Sequence, residues 1–310
     1  MENLSAEEQL KGLIRGLLEG GVWVKEPRTG ENILALFDAK IVIEAGDFPW
    51  FTDSLSSPRL SFEELWFFLR GDTDTKLLEA KGVNFWRGNT SREALDKVGL
   101  HYLIEGELGS AYSLQWRQSG GYDRPYSKWS GKSTATGFGT DQFLNLFKGL
   151  RDNKYGRRHL VTLWNPSENG EACITPCWHT STWNVLPNKD GEDELHVKLT
   201  NRSLDCLFGA KYALMQYKLL QMAFCKAFGF KEGKVVADLS NYHLYENQVE
   251  YAKEFLAREG TPHEDNHIAL GDWVKFETAQ DILDLQWEDW EVLYKYNKEP
   301  FKTPRPMMIA

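Results

Sequence analysis

The side chain best suited to covalent chemistry is the thiol of Cys177, which lies in the segment 175–179 (Thr-Pro-Cys-Trp-His). Groups that bind anions or carry protons lie on both sides of it along the chain: Arg157, Arg158, Arg202, Ser203 and Asp205. A thiolate attacks electron-poor carbon atoms, and guanidinium groups bind phosphate through bidentate, charge-assisted hydrogen bonds. Together these residue types predict covalent chemistry on a phosphorylated substrate.

The elements that must position these residues follow from capping signals and from the spacing of apolar side chains. Ser5 and Glu8 form a capping-box pattern, and the helix that follows ends at the glycines 20 and 21. Further helices are predicted over 63–69, 91–98, 141–150 and 214–228, and strands over 33–43, 159–164, 196–200 and 235–239. No repeat or linker divides the chain. We therefore predict one α/β domain over residues 1–310, with helices on a mixed sheet.

Composition excludes several classes of protein. The net charge of −9 argues against a nucleic-acid scaffold, whose binding face is usually basic. There is no N-terminal signal pattern and no apolar run near 20 residues, so no membrane span is expected. The four cysteines form no C-x-x-C pair and lack histidines at zinc-like spacing. We expect a cytoplasmic protein that holds no metal.

An ordered series of short motifs runs through nearly the whole chain. They are Arg-Thr-Gly at 28–30, the segments 63–73, 85–93, 106–112 and 115–117, the arginine pair 157–158, and the segments 164–166, 176–177, 202–205 with Gly209, and 243–245. In this order they resemble the thymidylate synthase family. The resemblance implies a two-layer α/β (α+β) fold, a mixed sheet flanked by helices, and a homodimer formed through the sheet. It also implies a pyrimidine nucleoside monophosphate as substrate and 5,10-methylenetetrahydrofolate as co-substrate.

The same resemblance implies the catalytic roles. Cys177 matches the nucleophile that adds to C6 of the pyrimidine, which turns C5 into a carbon that attacks a one-carbon unit. Glu64 matches the carboxylate that organises water and proton transfer around the base. Its apolar neighbours predict burial, which raises a carboxyl pKa towards the range useful for acid–base work. Tyr112 matches the tyrosine that assists proton removal from C5.

The resemblance also implies the binding roles. Arg28, Arg202 and Ser203 match residues that bind the phosphate of the nucleotide, and Arg157 and Arg158 match a pair that reaches the phosphate of the neighbouring subunit. His243 and Tyr245 match the residues that bind the sugar. Asp205 also matches a substrate-binding position. Nearby cations such as Arg202 are expected to lower the pKa of the Cys177 thiol. The residues matched to the folate site are Trp86, Asn89, Asp205 and Gly209, with the terminal Ala310 in the tail that closes over it.

Three residues around the base depart from the family pattern. Ala213 stands where an Asn normally reads N3–H and the 4-oxygen of uracil, Trp178 replaces the His after the nucleophile, and Asn241 replaces an Asp. Loss of the amide relaxes the discrimination against cytosine. An aromatic residue at 178 resembles the dCMP hydroxymethylase branch, although that branch usually carries an acidic residue at 213. Asn241 and Lys211 are candidates to replace the missing reader.

These departures lead to a ranked set of functions. We expect C5 hydroxymethylation of dCMP, in which water attacks the transferred methylene group. The alternative is C5 methylation of dCMP or dUMP, in which the folate supplies a hydride. A different class of function is a nucleotide- or RNA-binding relative that has lost catalysis, against which the retained Cys177, Glu64 and Tyr112 argue.

Overall fold

A computed structural model describes residues 4–54, 56–123, 134–135, 139–258, 260, 263 and 265–306. Its helices are α1 (Ala6–Gly20), α2 (Pro58–Arg70), α3 (Lys76–Ala80), α4 (Arg92–Lys97), α5 (Ser113–Gln118), α6 (Gln142–Asp152), α7 (Gly209–Phe228), α8 (Val249–Ala257) and α9 (Ala279–Leu283). Its strands are β1 (Val22–Lys25), β2 (Asn32–Ile43), β3 (Tyr122–Asp123), β4 (Thr134–Ala135), β5 (Leu160–Thr162), β6 (Trp178–Pro187), β7 (Asp193–Asp205), β8 (Lys231–Tyr245), β9 (His267–Leu270) and β10 (Trp290–Leu293). Single 3-10 turns cover Asn169–Glu171, Glu246–Gln248 and Trp287–Asp289.

Six strands form the main sheet, in the order β1-β2-β8-β7-β6-β5. β7 and β8 are parallel, and every other neighbouring pair is antiparallel, so the sheet is mixed as predicted. Parallel neighbours need a crossover connection, and the 20-residue helix α7 supplies it. The sequence-based class, a mixed sheet flanked by helices, is confirmed.

Apolar and polar side chains alternate along the central strands, so one face of the sheet is apolar. Leu195, Val197 and Leu199 of β7 are buried, whereas Lys198 between them is exposed and forms an ion pair with Asp238 of β8. Helix α7 packs on β7 and β8 and is buried along most of its length. The core therefore lies between this sheet face and a layer of helices that includes α1, α2 and α7.

The helix boundaries show what local sequence signals determine. The capping box at Ser5 and Glu8 is present, and Ser91 and Asp141 cap α4 and α6 through their side chains. Helix α2 begins five residues before the predicted start, because Pro58 occupies its first turn, where a missing N–H costs nothing. It ends at Gly71, whose φ of 82° favours glycine.

Candidate active site

A cavity of about 760 Å³ opens where the ends of β7 and β8 meet helices α2 and α7. Most of the site residues expected from the sequence line it: Arg28, Glu64, Trp86, Asn89, Tyr112, Cys177, Trp178, Arg202, Ser203, Asp205, Gly209, Ala213, Asn241, His243 and Tyr245. They come from eight separate segments of the chain. The fold therefore brings together side chains that the sequence spreads over more than 200 positions.

Strand register places the polar wall of the cavity. In the parallel pair β7·β8, Ser203 lies opposite Asn241, and Asp205 lies opposite His243. Cys177 immediately precedes β6, the other neighbour of β7. Three adjacent strands thus deliver the thiol and its polar neighbours to one edge of the sheet.

The Cys177 thiol lies against the guanidinium of Arg202. Arg202 Nη2 is 3.8 Å from Cys177 Sγ, and the same side chain donates to the backbone oxygens of Pro176 (2.9 Å) and Thr175 (2.7 Å). Burial raises the pKa of the thiol, while the charges of Arg202 and Arg28 lower it. The lowering of this pKa expected from Arg202 is present, but burial outweighs it, so the net shift of the Cys177 pKa is upward.

Tyr112 holds the main chain at Cys177. Its hydroxyl accepts a hydrogen bond of 2.8 Å from the backbone N–H of Cys177. The ring stacks on Phe68, with centroids 5.0 Å apart, and meets Trp86 edge-on at 5.6 Å. Burial raises the Tyr112 pKa well above its usual value, so the phenol stays neutral and acts through hydrogen bonds.

Glu64 is a buried carboxyl group with both oxygens bound. Trp86 Nε1 donates to Oε1 over 2.7 Å, and Gln216 Nε2 donates to Oε2 over 2.6 Å. Burial raises the pKa of Glu64 to about 7, while the two hydrogen bonds oppose the rise. A carboxyl group with this pKa can both release and accept a proton near neutral pH.

His243 is oriented by Asn241 two residues earlier. The Nδ1 atom of the ring lies 2.8 Å from Asn241 Oδ1, an acceptor, so Nδ1 carries the proton and Nε2 is left as an acceptor. Burial lowers the His243 pKa, which favours this neutral form. The ring of Tyr245 meets it edge-on at 5.4 Å. An Nε2 acceptor beside a phenol is suited to bind a hydroxyl group of a sugar.

Asp205 closes β7 and organises the turn into α7. Its Oδ1 accepts from the backbone N–H groups of Leu207 (2.9 Å) and Phe208 (3.0 Å), and its Oδ2 accepts from Gln248 (2.8 Å). The carboxylate therefore fixes the path of the chain that forms this side of the cavity.

The sequence as a whole matches a known family. The family model described as thymidylate synthase matches residues 8–306. The chain belongs to the thymidylate synthase family. It is 31% identical to the thymidylate synthase of Saccharomyces cerevisiae over 301 residues, which cover 95% of this chain and 94% of that protein.

Two further relatives support the assignment. The thymidylate synthase of Herpesvirus ateles is 33% identical over 265 residues, covering 84% of this chain and 87% of that protein. The bifunctional dihydrofolate reductase-thymidylate synthase of Leishmania major is 34% identical over 293 residues, covering 93% of this chain and 52% of that protein. The thymidylate synthase family transfers a one-carbon unit from 5,10-methylenetetrahydrofolate to a pyrimidine nucleotide, and this chain is a one-carbon transferase of that family.

Aromatic side chains line the cavity beside the polar wall. Phe85, Trp86 and Tyr212 contribute rings, and Phe85 and Tyr212 pack with their centroids 4.5 Å apart. A flat, apolar wall of this kind suits the ring system of a folate co-substrate. Arg305 also lines the cavity from the C-terminal segment, where its guanidinium lies over the ring of Phe208 at 5.2 Å.

Some expected residues lie elsewhere. Arg157 and Arg158 are exposed and do not line the cavity of their own chain, as their assignment to a neighbouring subunit requires. Ala310 lies outside the described residues. Lys211 is buried but does not line the cavity, and burial lowers its pKa to about 8, so it is not a replacement base reader.

The departures from the family pattern all face the cavity. Ala213 and Trp178 line it and are buried, and the amide of Asn241 is engaged by His243. Gln216, which the sequence motifs do not include, also lines the cavity and is bound to Glu64. Its signal was present: position 216 follows 213 by three residues, which places both on one helix face.

The described part of the chain offers neither a membrane-spanning helix nor a metal-binding cluster. None of its helices is long and apolar enough to cross a membrane. No group of three or more His, Cys, Asp or Glu side chains within it could hold a metal ion.

Proposed function

We propose that the protein, as a single catalytic domain over 1–310, methylates C5 of a pyrimidine deoxynucleoside monophosphate, with dUMP or dCMP as substrate. The observation that carries the proposal is the meeting in one cavity of a thiol beside a guanidinium and a carboxyl group with a pKa of about 7. The name of the relatives from Saccharomyces cerevisiae and Herpesvirus ateles, thymidylate synthase, supports methyl transfer over the hydroxymethyl transfer expected from the sequence.

Cys177 starts the reaction in this proposal. Its sulfur adds to C6, and the electron pair of the C5–C6 double bond moves to C5. C5 then attacks the methylene carbon of the folate, and the first of the two bonds from that carbon to folate nitrogens breaks, leaving its electron pair on the nitrogen. A water held near the Tyr112 hydroxyl takes the C5 proton as the second bond from the methylene carbon to a folate nitrogen breaks. A hydride from the resulting tetrahydrofolate then converts the methylene to methyl, the C6–S bond breaks, and dihydrofolate leaves.

The remaining residues bind and orient the nucleotide. Arg202, Ser203 and the loop residue Arg28 bind the phosphate, and His243 and Tyr245 bind the sugar hydroxyl through the neutral ring nitrogen and the phenol. Glu64 moves protons at the base edge. Asp205 holds the turn into α7, and Trp86, Asn89 and Gly209 line the folate side.

A homodimer completes the phosphate site. Arg157 and Arg158 are exposed, and the sheet face opposite the helices carries polar side chains such as Lys198 with the 80% exposed Phe37. We place a second copy of the chain against this face, with its arginines at the phosphate. The described cysteines are free, which favours the cytoplasm as the compartment.

Hydroxymethylation of dCMP is the second candidate function. Ala213 and Trp178 favour it, because they remove the side chains that enforce uracil in the family pattern. Water would then attack the methylene group in place of hydride, and the folate would be released as tetrahydrofolate, without oxidation to dihydrofolate.

Tritium release from C5-tritiated nucleotides tests the proposal. We expect release from dUMP or dCMP in the presence of 5,10-methylenetetrahydrofolate, together with a methylated product and stoichiometric dihydrofolate. A hydroxymethylated product without dihydrofolate would select the second candidate. Nucleotide binding without release would instead support an inactive relative.

Two cysteine variants identify the nucleophile. Cys177→Ser should abolish tritium release, because a serine hydroxyl is a far weaker nucleophile than a thiol. Cys225→Ser is the matched control, since Cys225 is buried at the far end of α7 and does not line the cavity. Equal activity of the wild type and Cys177→Ser would remove Cys177 from the mechanism.

A further inference from the structure

Helix α7 presents an amide to the cavity one turn after the position where the family pattern has one. We propose that Gln216 reads the uracil edge of the nucleotide in place of an Asn at position 213. This inference rests on the proposed function only in taking a pyrimidine nucleotide as the ligand of the cavity. It assigns base selectivity to a residue outside the family's motif.

The position of Gln216 allows this role. It lies three residues after Ala213, so both side chains leave the same face of α7, and both line the cavity. The Gln side chain is one methylene longer than Asn, and Ala213 leaves space where an Asn side chain would lie. Gln216 is 7% exposed, which limits the amide to the cavity and to its buried neighbours.

Glu64 fixes which way the amide faces. Gln216 Nε2 donates to Glu64 Oε2 over 2.6 Å, and Trp86 occupies the other carboxyl oxygen. While Glu64 is ionised, rotating the amide by 180° would set its oxygen against an oxygen that only accepts hydrogen bonds, which is unfavourable in a buried site. Oε1 and the second N–H of Nε2 therefore remain for a ligand. Within the described part of the chain, no hydrogen bond to Oε1 is observed.

The remaining donor and acceptor match uracil. Uracil presents N3–H as a donor beside the 4-oxygen as an acceptor, and an amide pairs with both through its oxygen and its N–H. Cytosine presents the reverse pattern, a bare N3 acceptor beside a 4-amino donor. With its orientation held by Glu64, the Gln216 amide forms two hydrogen bonds with uracil. With cytosine it would place donor against donor and acceptor against acceptor, which disfavours binding.

Binding of dUMP and dCMP without folate tests this assignment apart from catalysis. Dissociation constants are compared by titration calorimetry above the Glu64 pKa of about 7, where the carboxylate is ionised, for the wild type and for Gln216→Met, which keeps the shape but removes the amide. The wild type should prefer dUMP, and Gln216→Met should reduce that preference about tenfold, the effect of losing a buried hydrogen-bond match. A preference unchanged within about twofold would overturn the assignment.

Matched variants separate base reading from folding. Gln221→Met removes another buried amide of α7, one that binds the backbone oxygens of Leu195 and Gly233 away from the cavity, and should lower the melting temperature without changing the preference. Ala213→Asn in the Gln216→Met protein should restore preference for dUMP.

Ala213→Asn alone keeps the test decisive if Gln216→Met does not fold. With Gln216 already reading the base, the added Asn should change the preference less than about threefold, whereas a gain of about tenfold would overturn the assignment. If the wild type binds neither nucleotide, both the assignment and the proposed function fail. If it prefers dUMP but releases no tritium, only the proposed function fails.

Discussion

Replacing Glu64 with Gln should change how the stability of the protein depends on pH. The wild-type carboxyl group is buried between Trp86 and Gln216, and its pKa is raised from 4.5 to about 7, first by burial. In the unfolded chain the same group ionises with its ordinary pKa. Between these two values the folded protein holds a proton that the unfolded chain has released, so its stability falls as pH rises.

The size of the effect follows from the two pKa values. A tenfold change in an acid constant corresponds to about 1.36 kcal/mol, so a rise from 4.5 to about 7 disfavours the ionised folded state by about 3 kcal/mol. The penalty is absent below pH 4.5, where both states are protonated, and complete above pH 7. Glu64→Gln lacks a titrating group, so its stability does not carry this slope.

Urea denaturation of both proteins at fixed concentration, from pH 4.5 to 8, measures the difference. Other titrating groups cancel when the variant's free energy of unfolding is subtracted from that of the wild type, and the altered contact with Gln216 adds only a constant. We expect this difference to fall by about 3 kcal/mol from pH 4.5 to 8, because the wild type loses stability relative to Glu64→Gln as the pH rises. Parallel curves would show that Glu64 ionises at its ordinary pKa, and would refute its role as a proton carrier near neutral pH.

Three other perturbations test separate parts of the site. Arg202→Met should move the onset of Cys177 alkylation by iodoacetamide to higher pH, because the thiolate loses the guanidinium 3.8 Å away, and an unchanged onset would contradict this electrostatic role. Mixing Cys177→Ser subunits with subunits carrying Arg157→Ala and Arg158→Ala should restore about one quarter of wild-type activity, since half the dimers are mixed and each has one intact site. Failure to restore any activity would contradict the arginines' assignment to the neighbouring subunit. Asp205→Ala should lower the free energy of unfolding by about 1–2 kcal/mol in thermal melts, through the two backbone N–H groups it leaves unpaired, whereas Asp205→Asn should lower it less.

Much of the fold could be predicted from the sequence because its signals are local. Caps at Ser5, Ser91 and Asp141 and the glycines that end α2 and α7 define helix ends within one turn. The strands β7 and β8 are longer than predicted, and their C-terminal ends carry polar residues that line the cavity, where regular apolar alternation stops. The order and register of the strands depend on contacts between residues distant in sequence, so the spacing of apolar residues could not predict them.

The candidate site, like the fold, could be predicted only in part from the sequence. The motif order predicted which residues line the cavity, yet it gave neither the net rise in the Cys177 pKa nor the contact between Gln216 and Glu64. The first is a balance between burial and charge, and burial is a property of the folded chain. The second joins residues 152 positions apart, on helices whose packing no local pattern specifies.

The parallel pairing of β7 and β8 fixes the backbone of the polar wall separately from the side chains of α7 that face the base. Ser203, Asp205, Asn241 and His243 hold their spacing through main-chain hydrogen bonds, so their backbone positions do not depend on which side chains occupy them. Ala213 and Gln216 lie on α7, outside that ladder. An exchange of base reader on α7, such as the one we propose between positions 213 and 216, therefore leaves the backbone of this polar wall unchanged.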